Sequence, residues 1–396
     1  MNNKKKILVP LLTRGNIAKL LPVVHELNSY CDEYICEIVV GGALVADFHN
    51  FKNVIIKAFP ELEHAHFCKF HIGDGTKWGM ADSFGSSCFA LNQLFYEHKY
   101  SSILIVGDRY EALALATMAA CNQVPIIHLE GGEKSGCLDE SIRHAITKLS
   151  SLHIVANKKA SIVVEKLGEL KRNILIAGAT SMFYFQEKNL IPKDQIVNLV
   201  NSIGIGSHID VSKPFLTVNI HPDNFDPLFN SEVVTKLLEF INIKGIQVVW
   251  LSPNNDAGAE RINKVLRGVI ASQNYKSTVR FIKALPVNYY ASLLNSSSLL
   301  IGNSSSGIRE ATALGLRVIN LGGRQMGRHT GGNVTHAKLD HIVETYDKLS
   351  STQDLKEKLP INTAYGNFDA AKKAAEFINS HKIIIAKKDP IYTELT

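Results

Sequence analysis

The chain of 396 residues carries 43 Lys and Arg against 37 Asp and Glu, a net charge of +6, with 45% apolar and 20% charged residues. That composition excludes a disordered chain, and the length exceeds what one hydrophobic core usually spans, so two domains are expected. The basic excess is spread along the chain, whereas a nucleic-acid site would show a concentrated stripe with aromatic partners; no nucleic-acid partner is expected.

From the N-terminus, KILVPLL, CEIVVGG (36–42), SILIVGD (102–108), VPIIHLEGG (124–132), LHIVAN (152–157) and NILIAGA (173–179) are short runs with helical stretches between them. They are continuous rather than alternating, which marks strands buried on both faces of a parallel sheet. A more polar section follows residue 185. A second series then runs PFLTVNI (214–220), GIQVVWL (245–251), TVRFI (278–282), SLLIGNS (298–304) and RVINLGG (317–323). The pattern predicts an α/β protein of two doubly wound, Rossmann-like domains: residues 1–185, residues 186–366, and a helical tail over 367–396 that packs back across the junction.

Six cysteines, at 31, 36, 68, 88, 121 and 137, show no CxxC pair and no His at zinc spacing. Reduced thiols and no metal are expected, with Cys121 packed into the core from an apolar helical run. ILVPLL is too short for the centre of a signal peptide, and no run approaches the roughly 18 apolar residues of a membrane span. A cytoplasmic protein with no membrane partner is the expectation.

Open parallel sheets bind ligands beyond the carboxyl ends of their strands, which selects the loops LTRGN, GDRYE, HLEGGEKSGCLDE, HPDNFD, SPNNDAG, GNSSSGIRE and GGRQMGRHTGGN. In GNSSSGIRE, Ser304, Ser305, Ser306 and Gly307 precede a helix opening near Ile308; hydroxyls and unpaired amides there suit a phosphate, and the alternative is that Ser306 merely caps the helix. Glu310 either favours the helix dipole or accepts from ribose hydroxyls. Arg324, Arg328 and His329, set among glycines, fit a diphosphate or remain solvated surface cations. Neither GxxxxGK[ST] nor a GxGxxG in the first βα turn occurs, so a nicotinamide cofactor is not expected.

Acids gather in the first half: Asp108 and Glu130 just after strands, then Glu133, and Asp139 opening a helix. Asp139 as an N-cap and Glu111 on a helix face are the ordinary readings. Carboxylates brought to neighbouring strand ends can instead share one site and divide acid from base work. His128 is expected to pack in the sheet, and His221, just after a strand, is either a functional or a structural histidine.

These segments, GDRYE, HLEGGEKSGCLDESIRHAITKLSSLH, HPD, GNSSSGIREATALGLRVINLGGRQMGR and GGNV, resemble the hydrolysing UDP-N-acetylglucosamine 2-epimerases and their relatives acting on UDP-2,4-diacetamido-2,4,6-trideoxyglucose (UDP-N,N'-diacetylbacillosamine). The resemblance covers nearly the whole chain. It implies a GT-B-like fold with a cleft between the domains, a UDP-sugar substrate, no cofactor and a homodimer. It also implies the reaction: elimination of UDP to a 2-acetamidoglucal, then hydration to the epimeric free sugar that feeds nonulosonic (sialic) acid synthesis. Residue by residue it makes Asp108, Glu130 and Asp139 the catalytic acids and His221 the active-site histidine near the phosphates. Ser304, Ser305, Ser306 and Gly307 become the phosphate loop, Glu310 the ribose contact, and Arg14, Lys19 and Arg324 nucleotide-side residues. One loop departs. Relatives read TGTRADY, a small residue and Lys, whereas this chain reads LLTRGNIAK, with Asn16 where an acid is usual. A GT-B glycosyltransferase, or a nucleotide-sugar sensor without turnover, are the rival readings; sugar transfer to an acceptor, or UDP binding without turnover, would identify them.

Overall fold

A computed structural model describes residues 4–30, 33–42, 44–45, 52, 55–56, 59–70, 73, 77–134, 138–223, 226–253, 258–272, 279–352, 354–355, 357–362 and 364–385. The chain divides into two units. One comprises residues 1–134, 138–183 and 365–396, the other residues 135–137 and 184–364.

In the first unit the described elements are β1 (Lys5–Leu11), α1 (Arg14–Tyr30), β2 (Tyr34–Gly41), β3 (His66–Cys68), α2 (Lys77–Glu97), β4 (Ser102–Val106), α3 (Tyr110–Cys121), β5 (Ile126–Leu129), α4 (Asp139–Leu149), β6 (Leu152–Val155), α5 (Lys158–Lys166) and β7 (Ile174–Ile176). The seven strands stand in the order β3-β2-β1-β4-β5-β6-β7 and every pair is parallel. Chain order reverses between β1 and β4, so the loops after those two strands flank the switch point. Leu8, Val39, Ile103, Ile105 and Ile126 pack with Leu115 and Ala119 of α3 and Ile146 of α4 into one core. Each of the Leu, Ile and Val side chains contributes about 1.5–3 kcal/mol by leaving water.

The second unit contains α6 (Lys193–Ile203), β8 (Ile205–Gly206), β9 (Phe215–Asn219), α7 (Pro227–Lys244), β10 (Gln247–Leu251), α8 (Ala259–Ser272), β11 (Val279–Ile282), α9 (Val287–Ser296), β12 (Leu299–Gly302), α10 (Ser305–Ile308), β13 (Val318–Leu321), β14 (Val334–Ala337) and α11 (Ile342–Thr352). Its order is β14-β13-β12-β9-β10-β11-β8, parallel except where β8 runs against β11. Here the switch point lies between β9 and β12. Gly302 ends β12 so close to β9 that a Cβ would run into the Asn219 carbonyl oxygen, which is why glycine stands there. The last helix, α12 (Ala370–Ser380), belongs to the first unit and packs on α1; its buried face runs through Ala371, Ala374, Ala375 and Ile378.

Every apolar run named from the sequence forms a strand. Three strands were not anticipated: β3, β8 and β14, each of four residues or fewer and none of them mostly buried. Cys121 corrects an expectation: it is exposed. The buried face of α3 runs through Ala112, Leu115, Ala116 and Ala119, and Cys121 falls off that stripe. Cys31, Cys137, residues 224–225 of HPDNFD and 254–257 of SPNNDAG lie outside the described residues. No helix among the described residues is long and apolar enough to cross a membrane.

Candidate active site

At the switch point of the first sheet, β1 runs into Leu12–Thr13 and Arg14 opens α1. Asn16, 9% exposed, closes this loop: its Oδ1 accepts from the backbone N–H of Leu12 at 2.9 Å and of Thr13 at 3.0 Å. The residue that departs from the relatives' pattern therefore works as a hydrogen-bond acceptor, a task an amide oxygen performs as well as a carboxylate. Lys19, one turn further along α1, places its ammonium 2.7 Å from Glu130 Oε2.

Glu130 follows β5 and is 4% exposed. Its backbone is left-handed, with φ 63°, a conformation that costs a non-glycine residue about 1–3 kcal/mol and that gathers at functional sites. The N–H of Glu130 donates to the Ile154 carbonyl at 2.7 Å, which pins the turn to β6. Gly131 completes it, since a Cβ there would lie 3.0 Å from both His128 Nδ1 and Thr147 Oγ1.

Asp108 follows β4 and is ion-paired to Arg143, which is 1% exposed and also donates to the Glu133 carbonyl. Arg143 stands one turn along α4 from Asp139. Burial alone would lower the pKa of this guanidinium, but Asp108, Glu133 and Asp139 around it raise it above the ordinary value. Arg143 is thus the cation that Asp108, Glu133 and Asp139 share, and sequence reasoning missed it. The i, i+4 spacing of Asp139 and Arg143 was the available signal. Glu111 turns instead to Arg109, at 3.2 Å. His128 is fully buried, with Nε2 2.9 Å from the Gly107 carbonyl and Nδ1 3.2 Å from Thr147 Oγ1; burial pushes its imidazole down to about 3, so it is neutral.

The second unit places His221 and the serine loop beside its own switch point, after β9 and β12. Asn303 organises them. Its Oδ1 accepts from the His221 N–H at 2.7 Å and its Nδ2 donates to the His221 carbonyl at 2.7 Å. The Asn303 carbonyl in turn accepts from Arg324 Nη1 at 3.2 Å and Gln325 Nε2 at 3.0 Å. The helix after the loop opens at Ser305 rather than near Ile308, and its cap is Ser304, not Ser306: Ser304 Oγ accepts from the Ser306 N–H. Only one α-turn forms before a 3-10 turn over Glu310–Leu314. So short a helix carries little macrodipole, and the loop's donors must come from its own hydroxyls and amides. Gly307 donates to the Ser304 carbonyl at 3.1 Å, and a Cβ there would stand 2.9 Å from Val318 Cγ1, so this glycine lets the turn lie flat on β13. Glu310 is 7% exposed, just after the α-turn. Among the described residues no cluster of three or more His, Cys, Asp or Glu has a metal-binding arrangement.

Two parallel-sheet α/β domains, with polar loops at each switch point, define a GT-B-like protein. Its fold matches a Neisseria meningitidis UDP-GlcNAc 2-epimerase, solved bound to UDP-GlcNAc, with a TM-score of 0.78 at 17% identity over 95% of this chain and 100% of that one. Residues 45–379 match the model of the UDP-N-acetylglucosamine 2-epimerase family, and the chain belongs to that family. Among its relatives, a UDP-N-acetylglucosamine 2-epimerase of Neisseria meningitidis serogroup B is 28% identical over 84% of this chain and 83% of the relative. A UDP-N,N'-diacetylbacillosamine 2-epimerase (hydrolyzing) of Legionella pneumophila is 27% identical over 95% of this chain and 96% of the relative.

Proposed function

We propose that the chain is a hydrolysing 2-epimerase converting UDP-N-acetylglucosamine and water into N-acetylmannosamine and UDP, a product suited to building nine-carbon acidic sugars. The observation that carries this reading is the pairing of Asp108 with Arg143 and of Glu130 with Lys19 at adjacent strand ends, with Glu130 held in a left-handed turn. Carboxylates oriented in this way suit proton transfer at a carbon that is not acidic by itself.

In the first step the bond from C1 to the diphosphate oxygen breaks ahead of the C2–H bond, the C2 proton passes to a carboxylate of the Asp108, Glu130 and Asp139 group, and C1=C2 forms. Free UDP and a 2-acetamidoglucal result. Water then adds its hydroxyl at C1, and C2 takes a proton on the opposite face, which inverts that centre. Ser304 and Ser305, with His221 and Arg324, hold the diphosphate and stabilise its charge as it departs, while Ser306 and Gly307, whose N–H groups bond to Ser304, shape the loop. Glu310 takes the ribose hydroxyls, and Arg14 lies on the nucleotide side. No cofactor enters the reaction.

A second reading, the same reaction on UDP-N,N'-diacetylbacillosamine, is favoured by the Legionella relative that spans 95% of this chain. Proton NMR in D₂O with each nucleotide sugar tests both. Free UDP with a manno-configured sugar deuterated at C2 is expected, and the faster substrate names the sugar. UDP released with the C2 hydrogen retained, or sugar passed to an acceptor, would overturn the elimination.

A further inference from the structure

Tyr290, on α9, touches the serine loop, and its bonds have a direction. Asn219 Nδ2 is only a donor, and it donates to the Tyr290 oxygen at 3.0 Å. The one other described partner of that oxygen is Ser306 Oγ at 2.6 Å, so the Tyr290 O–H donates to Ser306. Burial pushes the Tyr290 phenol up to about 12, which keeps the proton in place at neutral pH. Ser306 Oγ, now an acceptor from Tyr290, has Ser304 Oγ as its remaining described partner at 3.0 Å and donates to it. Ser304 Oγ also accepts the Ser306 N–H at 3.3 Å. With both its lone pairs engaged, Ser304 can only turn its own hydrogen outward, and that hydrogen has no acceptor among the described residues. A chain of hydroxyls aligned in one direction also polarises each successive donor.

The geometry points to Tyr290 as a positioning residue: it sets the polarity of the chain Asn219→Tyr290→Ser306→Ser304 so that the Ser304 O–H is presented as a donor to the diphosphate of a nucleotide sugar. This rests on the reading of the serine loop as the diphosphate site. Without the Tyr290 hydroxyl, Ser306 loses its donor, the two serine hydroxyls are free to reverse, and Ser304 can spend its hydrogen on Ser306.

The test is calorimetric titration of UDP, and in parallel of uridine, which has no phosphate, into the wild type, Tyr290→Phe, Ser304→Ala, Ser306→Ala and the Tyr290→Phe/Ser304→Ala double variant. Tyr290→Phe, Ser306→Ala and Ser304→Ala should each weaken UDP about ten-fold, the loss of one hydrogen bond to a charged group, while uridine binding stays within about two-fold of wild type. The double variant should bind UDP no more weakly than Ser304→Ala alone. Wild-type UDP affinity in Tyr290→Phe, multiplying losses in the double variant, or an equal loss for uridine each overturn the role of Tyr290, and leave the phosphate loop standing if Ser304→Ala is weak. Wild-type UDP affinity in Ser304→Ala instead overturns the loop reading and the Tyr290 role with it.

Discussion

The two sheets carry their chemistry in opposite styles. Strand ends of the first present charged groups in pairs, Asp108 with Arg143 and Glu130 with Lys19. Beside the switch point of the second stand mostly neutral groups: hydroxyls of Ser304, Ser306 and Tyr290, and the side chain of Asn303 bridging to His221. Charged pairs suit a unit that moves protons, because a carboxylate must be held in place yet able to take one up. Fixed dipoles suit a unit that receives an anion, because they stabilise negative charge without any group changing its own.

The largest expected effect tests the half proposed to move protons. Asp108→Asn and Glu130→Gln should each lower turnover by about 10²–10⁴-fold, while UDP affinity changes by less than about two-fold. Steady-state rates beside calorimetric UDP titration read the two quantities separately; near-wild-type turnover in both variants would remove the distinction between the sheets. Next comes the half proposed to receive the anion. Asn303→Ala strips the partners from a buried N–H and a buried carbonyl of His221, so it should destabilise the protein by about 1–3 kcal/mol and weaken UDP as well. Urea unfolding monitored with and without UDP measures this, and an unchanged midpoint would show that Asn303 does not organise the loop.

The smallest effect concerns pH and belongs to the first unit. Folded, the His128 imidazole stays neutral until about pH 3, whereas in the unfolded chain it takes up a proton near its ordinary value of 6.5. Between those values the unfolded state binds the additional proton, so stability falls as the pH falls, by up to about 1.4 kcal/mol per pH unit from this group. Above about pH 6.5 it contributes no slope. His128→Gln, less stable at pH 7, should therefore lose stability less steeply between pH 6.5 and 4.5 than the wild type. Parallel urea midpoints would contradict a neutral buried histidine.

Much of this was readable in the sequence because burial on both faces writes strands as unbroken apolar runs, and because a strand-end rule sends attention to the loops that follow them. Asp108, Glu130, His221 and the three serines were singled out in that way. Arg143, Asn303 and Tyr290 were not, for a common reason: their partners are far off in the chain. Arg143 meets Asp108 35 residues away and Asn303 meets His221 82 residues away, and only the sheet order makes them neighbours. The left-handed backbone of Glu130 was hidden as well, since left-handed geometry is expected of glycine, and two glycines follow it. Ser304 was displaced as cap in favour of Ser306 because any of three consecutive hydroxyls could have served.

Asn16 stands at the mouth of the first switch point with its carboxamide oxygen shared between two backbone amides. A carboxylate in that place would slacken its hold as it took up a proton, and the loop beside it would change shape with acidity. A carboxamide does not titrate. In this chain the turn that leads into α1 is therefore insulated from the proton traffic that the neighbouring acids are proposed to conduct.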